Sequence, residues 1–252
     1  MISLEGRRLL VIGGSSGVGR AVGLAAAKRG ARVAFVGRRS DLLDDSVSAA
    51  GSHCVAIPRD VRDPAACEEV VAETVTAFGG LDGLIYAAAY LQLQLVEDAT
   101  AADWSRTLET NVIAPALVTR AALPHLRESR GRVVFISSDI TRYPRSALGL
   151  YGASKLALNG LCGQLRLEEP DVPFTIASLG PVAPSDLMRT WDYANAVEMM
   201  EIWASQGVHY VSTMESDDVA EMILAVFTTP IRVNDFLVEP AEGGPHPVVR
   251  KS

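Results

Sequence analysis

The chain contains few of the residues from which disulfide scaffolds and metal centres are built. Its 252 residues include only three cysteines and four histidines. The cysteines, Cys54, Cys67 and Cys162, are an odd number without C-x-x-C spacing, and no Cys/His cluster has metal-ligand spacing. We therefore expect reduced cysteines that serve packing, and we assign no metal.

The chain also has neither an excess of positive charge nor a long apolar run. Its formal net charge is −7, which argues against nucleic acid or an anionic membrane as the main partner. No stretch approaches the roughly 20 apolar residues of a membrane span, and residues 1–8 lack the apolar core of a signal peptide. These absences favour a cytoplasmic location. The length and the 48% of hydrophobic residues allow one domain over residues 1–252.

Short apolar runs rich in branched residues alternate with segments of helical periodicity along the chain. The runs predict strands at 9–12, 32–36, 53–57, 81–87, 132–136, 174–178 and 234–238. Helical spacing covers about 17–29, 41–50, 64–78, 100–127 and 150–169. This alternation predicts an α/β Rossmann fold, with a doubly wound, mostly parallel sheet and helices on both faces. The ligand is then expected at the carboxyl ends of the strands.

One segment, about 185–215, breaks the alternation and leads to no strand of its own, so we expect it to form a lid over the ligand. It holds four of the six methionines and two of the three tryptophans, namely Met188, Met199, Met200, Met214, Trp191 and Trp203. Such side chains form an adaptable apolar wall that suits a bulky hydrophobic carbonyl compound. Packing of the lid onto the body or onto another subunit explains them equally well. The residues expected to line the opposite wall are Tyr90, Leu91, Ile140 and Tyr143.

A glycine-rich run, Gly13-Gly14-Ser15-Ser16-Gly17-Val18-Gly19, follows the first predicted strand and opens a helix. Glycines at positions 13, 17 and 19 permit a tight turn and a close approach to a diphosphate. The free N–H groups and the positive end of the helix would stabilise its charge. The strand before the run and the helix after it favour dinucleotide binding over a turn that merely needs positive φ.

The second predicted strand ends in Gly37-Arg38-Arg39 and offers no carboxylate. An NAD-selective site usually has an acid here for the ribose 2′-hydroxyl, whereas a guanidinium binds a phosphate bidentately. The pattern therefore predicts NADP(H), unless both arginines are solvated ends of a surface loop. Asp60 and Val61 follow the third strand, where they can meet the adenine ring. Capping of the helix that begins near Pro64 is the alternative role for Asp60.

Tyr151 and Lys155 are four residues apart and therefore share one face of a helix. A phenol is a poor acid or base at neutral pH unless its phenolate is stabilised, and the ammonium and a nicotinium charge would lower its pKa. Ser138 ends the preceding strand, and its hydroxyl can stabilise an oxyanion at the same carbonyl group. These residues predict proton transfer, rather than a surface helix that happens to carry a tyrosine and a lysine. Asp139 is either a polar contact for substrate or a cap of the next turn.

Together these motifs resemble the short, single-domain branch of the short-chain dehydrogenase/reductase family over nearly the whole chain. The family's glycine motif falls on Gly13, Gly17 and Gly19, and its catalytic serine, tyrosine, lysine and helix asparagine fall on Ser138, Tyr151, Lys155 and Asn111. The resemblance implies that Lys155 also holds the nicotinamide ribose and that Asn111 helps to hold a proton-relaying water. It also implies NADP preference through Arg38, and a homotetramer or homodimer with the long helices at 100–127 and 150–169 as interfaces.

The sequence departs from the family pattern at three places. Tyr86-Ala87-Ala88-Ala89 replaces the usual Asn-Asn-Ala-Gly, although Ala87 and Ala88 are still expected beside the nicotinamide ribose. The family's Pro-Gly turn is reversed as Gly180-Pro181, and after Ala183 a serine, Ser185, stands for the threonine that meets the carboxamide. Ile12 replaces the threonine that opens the glycine motif. None of these changes removes a proton-carrying group.

The function predicted from the sequence is an NADP(H)-dependent oxidoreductase that reduces a ketone or aldehyde, or runs the reverse oxidation. A related NADP(H) enzyme that dehydrates, epimerises or cyclises is one alternative, and an NADP sensor without turnover is another. The complete set of proton-carrying residues argues against the sensor, because a sensor has no need of them.

Overall fold

The computed structural model describes residues 3–189 and 191–245. In chain order its strands are β1 (Arg8–Ile12), β2 (Arg32–Gly37), β3 (Val55–Pro58), β4 (Gly83–Tyr86), β5 (Arg132–Ser138), β6 (Phe174–Leu179), β7 (Val182–Ala183), β8 (Val208–Tyr210), β9 (Met214–Glu215), β10 (Asp235–Val238) and β11 (Gly243–Pro245). The α-helices are α1 (Gly17–Ala27), α2 (Ser40–Ala50), α3 (Pro64–Phe78), α4 (Ala101–Leu108), α5 (Ala114–Ser129), α6 (Gly149–Glu168), α7 (Tyr193–Ser205) and α8 (Ser216–Thr228).

Seven of these strands form one central sheet in the order β10-β6-β5-β4-β1-β2-β3. Every neighbouring pair is parallel, so the predicted doubly wound parallel sheet is confirmed. The order reverses between β1 and β4, which opens a crevice at the carboxyl ends of the strands. The sequence elements predicted to bind a ligand therefore share that edge.

Helices cover both faces of the sheet, which explains why its strands are almost continuously apolar. One face packs against α3, α5 and α6, in a core that includes Leu84, Phe135 and Phe174. The other packs against α1, α2 and α8, around Val11, Phe35 and Ile85. Successive residues of a strand point to opposite faces, so β1 to β6 contribute to both cores, whereas the edge strand β10 contributes Phe236 and Val238 to the second core only.

Helix α3 shows how local sequence fixes an element next to the crevice. Pro64 occupies its first turn, and the carboxylate of Asp63 accepts a hydrogen bond from the Ala65 amide at 3.0 Å. Gly79 ends the helix in a left-handed conformation with φ of 77°. The capping residue is thus Asp63 and not Asp60, which instead pairs with Arg62 at 2.6 Å. The capping alternative for Asp60 is therefore wrong.

The helix predicted at 100–127 is divided by a wider turn. Helix α4 runs into a π-helical turn at Glu109–Ile113, and α5 continues from it. A π-helical turn accommodates an extra residue and often marks a functional position. Asn111 lies in this turn and is fully buried.

The expectation that the 185–215 segment contains no strand is wrong. Besides α7 it contains β8, which pairs antiparallel with β11, and β9, which pairs parallel with β7. Both pairs lie outside the central sheet. Strands of three and two residues are too short to produce a periodic pattern, so sequence periodicity does not predict them. Among the helices of residues 3–189 and 191–245, none is long and apolar enough to cross a membrane.

Candidate active site

A cavity of about 1150 Å³ opens at the carboxyl ends of the central strands. The loops after β1, β2, β4, β5 and β6 line one side of it, and residues of the 185–215 segment line the other. All of the predicted cofactor and catalytic residues line this cavity except Asn111 and Ala183. Because pockets for one small molecule are about 300–1000 Å³, the cavity is large enough for a ligand of dinucleotide size.

The glycines of the loop after β1 serve two different purposes. At Gly13, with φ of 90°, a Cβ would lie 2.6 Å from the Ala88 amide nitrogen, and at Gly19 it would lie 2.3 Å from the Gly13 carbonyl oxygen. A side chain at Gly17 would instead meet nothing nearer than the Pro184 carbonyl oxygen at 3.6 Å. Gly13 and Gly19 are thus required by packing, whereas Gly17 leaves open space on the cavity side. This cradle at the start of α1 fits a dinucleotide diphosphate.

Arg38 and Arg39, which follow β2, are not equivalent. The guanidinium of Arg39 donates to Asp186 at 2.5 Å and to the hydroxyl oxygens of Ser16 and Ser15 at 3.0 and 3.2 Å. It thereby ties the glycine loop to the 185–215 segment, and it lowers the pKa of the Asp186 carboxyl. Arg38 is exposed on the cavity rim and has no hydrogen-bond partner within the described part of the chain. Arg38 is therefore the arginine that remains available to a ligand.

Tyr151 and Lys155 lie on α6 at the deep end of the cavity, where they are 6% and 2% exposed. The Lys155 Nζ donates to the Ile136 carbonyl oxygen at 2.8 Å and lies 5.6 Å from the centre of the Tyr151 ring. Burial lowers the pKa of Lys155 to about 7. Burial also raises the pKa of Tyr151, although the neighbouring Ser138 hydroxyl opposes that shift. The sequence predicts a lowered tyrosine pKa, but the protein alone favours the protonated phenol, because dehydration outweighs the available stabilisation of the phenolate.

Ser138 ends β5 and is hydrogen-bonded to the residue beside it. Its hydroxyl donates to Asp139 Oδ1 at 3.0 Å and accepts from the Ile140 amide at 3.3 Å. Asp139 is 2% exposed. Its other oxygen accepts hydrogen bonds from Arg145 and, at 2.6 Å, from the Tyr210 hydroxyl. Since Ser138 caps the turn at Asp139–Thr141, the proposed capping role of Asp139 is wrong.

The partners of Asp139 were not anticipated from the sequence. The Tyr210 hydroxyl lies 2.8 Å from Glu239 Oε1 as well, so strand β8 and the end of β10 meet beside Ser138. Arg145 precedes α6 and places its guanidinium 5.7 Å from the centre of the Tyr210 ring. Within the Ser138–Tyr151 loop the sequence contains a positive charge that could pair with Asp139. Tyr210 and Glu239 are distant from Asp139 in the chain, so their contacts cannot be predicted from the sequence.

Asn111 does not line the cavity, and its side chain instead connects two neighbouring segments by hydrogen bonds. Its amide nitrogen donates to the Tyr90 carbonyl oxygen at 2.8 Å and to the Ser154 hydroxyl at 2.9 Å. Its amide oxygen accepts from the Tyr90 backbone N–H at 2.8 Å. One acceptor position of that oxygen remains for a water. Asn111 thus joins the segment after β4 to helix α6, beside Lys155.

The end of β4, where Tyr86 stands in place of the family's usual asparagine, is held in position by this tyrosine. Tyr86 is 1% exposed, and its hydroxyl donates to the Thr110 carbonyl oxygen at 2.7 Å. Burial raises the pKa of this phenol, so it remains a hydrogen-bond donor. The strand end is therefore fixed to the π-helical turn, while Ala87 and Ala88 face the cavity.

An apolar cluster forms the wall between Tyr151 and the 185–215 segment. Its buried members are Leu91, Ile140, Leu148, Tyr151 and Trp203. The Trp191 ring packs edge-on against the Trp203 ring at 6.1 Å. Of the methionines predicted in the lid, Met188 and Met200 line the cavity, Met199 packs against the cluster and Met214 packs against the main core. Both of the roles considered for these side chains, lining the cavity and packing onto the body of the protein, therefore occur. On the opposite wall, Tyr90, Leu91 and Ile140 line the cavity and Tyr143 does not.

Comparison with known proteins agrees with this geometry. Residues 7–193 match the family model described as short chain dehydrogenase. The chain is 37% identical over 184 residues to 11-beta-hydroxysteroid dehydrogenase-like 2 from Arabidopsis thaliana, across 71% of this chain and 60% of that protein. It is 32% identical over 246 residues to 11-beta-hydroxysteroid dehydrogenase A from Sesamum indicum, across 94% and 69% of the two chains.

A solved structure is similar along nearly its whole length. It is a short chain dehydrogenase from Burkholderia cenocepacia J2315 in complex with NADP, 30% identical, with a TM-score of 0.82. The match covers 94% of this chain and 97% of that one. The first of the curated relatives is longer than the part that this chain matches, since the chain spans only 60% of its length.

Proposed function

We propose that this chain, which belongs to the short-chain dehydrogenase/reductase family, is an NADP(H)-dependent enzyme that interconverts a carbonyl group and an alcohol in an apolar substrate. The observation that carries the proposal is the position of the buried Tyr151 hydroxyl. It lies where a glycine-lined cradle and an apolar wall meet in one cavity. When bound there, the nicotinamide cofactor would supply or accept the hydride.

In the direction of reduction, Tyr151 holds the proton that the carbonyl oxygen receives. Its raised pKa keeps the phenol protonated at neutral pH, so the proton is present when the oxygen begins to gain charge. The Ser138 hydroxyl has a single hydrogen, which it donates to Asp139. By turning that hydrogen toward the substrate oxygen, Ser138 would stabilise the developing oxyanion. In the reverse direction Tyr151 receives the proton.

Preference for NADP(H) is supported by the residues after β2. Neither of the two residues directly after the strand is acidic, and the exposed Arg38 lies on the cavity rim without a partner in the described part of the chain. A guanidinium there can bind a 2′-phosphate in two hydrogen bonds. The similar Burkholderia structure contains NADP. Lys155, buried between Tyr151 and Ile136, would hold the nicotinamide ribose hydroxyls.

A bulky, apolar carbonyl compound is the substrate class that the wall favours. Leu91, Leu148, Trp191 and Met200 line the cavity, and the first three pack in the cluster that contains Tyr151. Several similar proteins are described as hydroxysteroid dehydrogenases, which agrees with a large apolar substrate. A homo-oligomer formed through α5 and α6 belongs to the same proposal, because Leu156 and Leu167 on α6 are 56% and 77% exposed.

The deciding experiment compares Tyr151→Phe with wild type on a panel of ketones and aldehydes graded in size. Loss of NADPH absorbance reports turnover, and fluorescence titration reports NADPH affinity. We expect the variant to lose turnover while it keeps its affinity, since only the ionisable oxygen is removed. Tyr143→Phe, which changes a tyrosine outside the cavity lining, is the matched control and should retain activity. A Tyr151→Phe protein within a few fold of wild-type turnover would refute the mechanism, and a wild type that consumes none of the panel would favour a sensor.

A further inference from the structure

The hydroxyl of Tyr210 lies between two carboxylates beside Ser138. Its oxygen is 2.6 Å from Asp139 Oδ2 and 2.8 Å from Glu239 Oε1. Partial burial and the two carboxylates raise the pKa of Tyr210, so the phenol keeps the hydrogen that it donates. Tyr210 belongs to the 185–215 segment, whereas Asp139 directly follows the strand that ends in Ser138. A chain of hydrogen bonds therefore connects that segment to the end of β5.

Tyr210 is held at this position by its backbone and by its ring. Strand β8 pairs antiparallel with β11, and Tyr210 lies opposite Gly243 in that pair. On the other side, the Arg145 guanidinium lies 5.7 Å from the centre of the Tyr210 ring. These contacts direct the Tyr210 hydroxyl at Asp139.

Asp139 competes with the substrate for the hydrogen of Ser138. The Ser138 hydroxyl donates its only hydrogen to Asp139 Oδ1 at 3.0 Å and accepts from the Ile140 amide at 3.3 Å. To stabilise an oxyanion, Ser138 must turn that hydrogen from the carboxylate to the substrate oxygen. Asp139 is 2% exposed, so water does little to weaken the hydrogen bond. A hydrogen bond to an ionised acceptor is about twice as strong as one between neutral groups, and a carboxylate without other donors would therefore hold Ser138 firmly.

The donors at the second oxygen of Asp139 loosen this hold. Arg145 and Tyr210 both donate to Oδ2. The two oxygens of a carboxylate share one negative charge, and positive hydrogens beside Oδ2 draw that charge away from Oδ1. Oδ1 is then a weaker acceptor for the Ser138 hydrogen. Of these two donors, Tyr210 is the one that comes from the 185–215 segment.

We propose that Tyr210 is a positioning residue of the reaction, which through its hydrogen bond to Asp139 allows the Ser138 hydroxyl to turn toward the substrate oxygen. The inference rests on the proposed function, because it requires an oxyanion for Ser138 to stabilise. It gives the 185–215 segment a part in the chemical step besides enclosing the substrate. Since Tyr210 acts through Ser138, its contribution exists only while residue 138 carries a hydroxyl.

The test is a double-mutant cycle on NADPH turnover with the ketone of the graded panel that wild type reduces fastest. Tyr210→Phe removes only the hydroxyl. It should lower kcat by about threefold to tenfold, the range of one hydrogen bond, with KM and NADPH affinity within about twofold of wild type. In the Ser138→Ala background the same substitution should change kcat by less than about twofold. Tyr90→Phe is the control, because it removes a hydroxyl of the cavity lining that donates to Gln92, and its effect should be the same in both backgrounds.

The cycle separates positioning from a structural role and from substrate contact. A loss of kcat that is equally large in the Ser138→Ala background would overturn the inference and leave the proposed enzyme standing. A rise in KM at unchanged kcat would overturn it as well, since Tyr210 would then be a substrate contact. A wild type that reduces none of the panel would overturn both proposals.

Glu239→Gln provides a second test that leaves Tyr210 intact and decides the matter if Tyr210→Phe does not fold. Tyr210 has one hydrogen for two carboxylates, whereas a glutamine amide can donate to the phenol oxygen. The Tyr210 hydrogen is then left wholly to Asp139. We expect a kcat equal to or above that of wild type, and a kcat lowered more than about threefold would contradict the inference.

Discussion

The selectivity between NADPH and NADH provides a sharp test, because the two arginines after β2 differ in their contacts. Arg38 is exposed on the cavity rim, whereas Arg39 is held by Asp186, Ser15 and Ser16. If Arg38 binds the 2′-phosphate, Arg38→Ala should weaken NADPH binding and leave NADH binding nearly unchanged. Arg39→Ala should weaken the binding of both cofactors, because it removes the hydrogen bonds to the glycine loop that would approach the diphosphate.

The expected magnitude follows from the chemistry and exposure of Arg38. A hydrogen bond to a charged group contributes about 1.5–3 kcal/mol, which corresponds to roughly a 10- to 150-fold change in affinity. Solvent screens an exposed guanidinium, so the lower end applies. We therefore expect wild type to favour NADPH by about tenfold and Arg38→Ala to lose most of that preference.

Fluorescence titration with each cofactor measures the two dissociation constants for wild type and both variants. Raising the salt concentration should reduce the wild-type preference, because the contact is ionic and exposed. Equal affinity of wild type for NADPH and NADH would refute the argument. A preference that survives in Arg38→Ala but disappears in Arg39→Ala would move the phosphate contact to the second arginine.

Three further predictions concern the deep end of the cavity and the glycine loop. Ser138→Ala should lower kcat by roughly 10²–10³, the usual loss for one oxyanion donor, at unchanged NADPH affinity; a loss below about threefold would exclude that role. At Gly17 φ is 52°, and the nearest atom that an added Cβ would meet is the Pro184 carbonyl oxygen at 3.6 Å. Gly17→Ala should therefore lower stability by about 1–2 kcal/mol and weaken NADPH binding more than tenfold. By contrast, Gly19→Ala should not fold, because its Cβ would lie 2.3 Å from a backbone oxygen; thermal melts and titration distinguish these outcomes. The pKa of Lys155 in the folded protein is lowered to about 7, so above pH 7 the unfolded chain binds more protons than the folded chain. The stability of the cofactor-free protein should therefore rise from pH 7 toward pH 9. In thermal melts Lys155→Met should lack this rise, and the same pH dependence in wild type and variant would contradict the prediction.

The central sheet could be predicted because its strands have a strong and local signal. All seven central strands overlap the predicted runs, since burial on both faces makes the runs of the five inner strands mostly apolar. The boundaries shifted by a few residues, as at β3, where the prediction began at residue 53 and the strand begins at Val55. The positions of Ser138, Tyr151 and Lys155 at one cavity followed from topology, because parallel strands end at one edge.

The details of the site could not be predicted, because they depend on contacts between residues distant in the chain. Nothing in the sequence distinguishes Trp191 from Trp203, yet only the second has a protein acceptor within the described residues. Asp139 was ambiguous because its partner Tyr210 lies on a three-residue strand. Likewise, Arg38 and Arg39 form one motif in the sequence and have different environments in the fold.

If the proposed function is correct, the charges at Tyr151 and Lys155 would allow the same residues to serve both directions of the reaction. In the protein alone, burial favours the neutral phenol and, through a pKa of about 7, leaves Lys155 only partly charged at neutral pH. Such a site can donate a proton, as reduction of a carbonyl requires. Oxidation of an alcohol requires phenolate, which an added positive charge beside Tyr151 would stabilise. The oxidised nicotinamide ring carries that charge and the reduced ring does not, so the redox state of a bound cofactor would itself prepare the proton acceptor or donor that its own reaction needs.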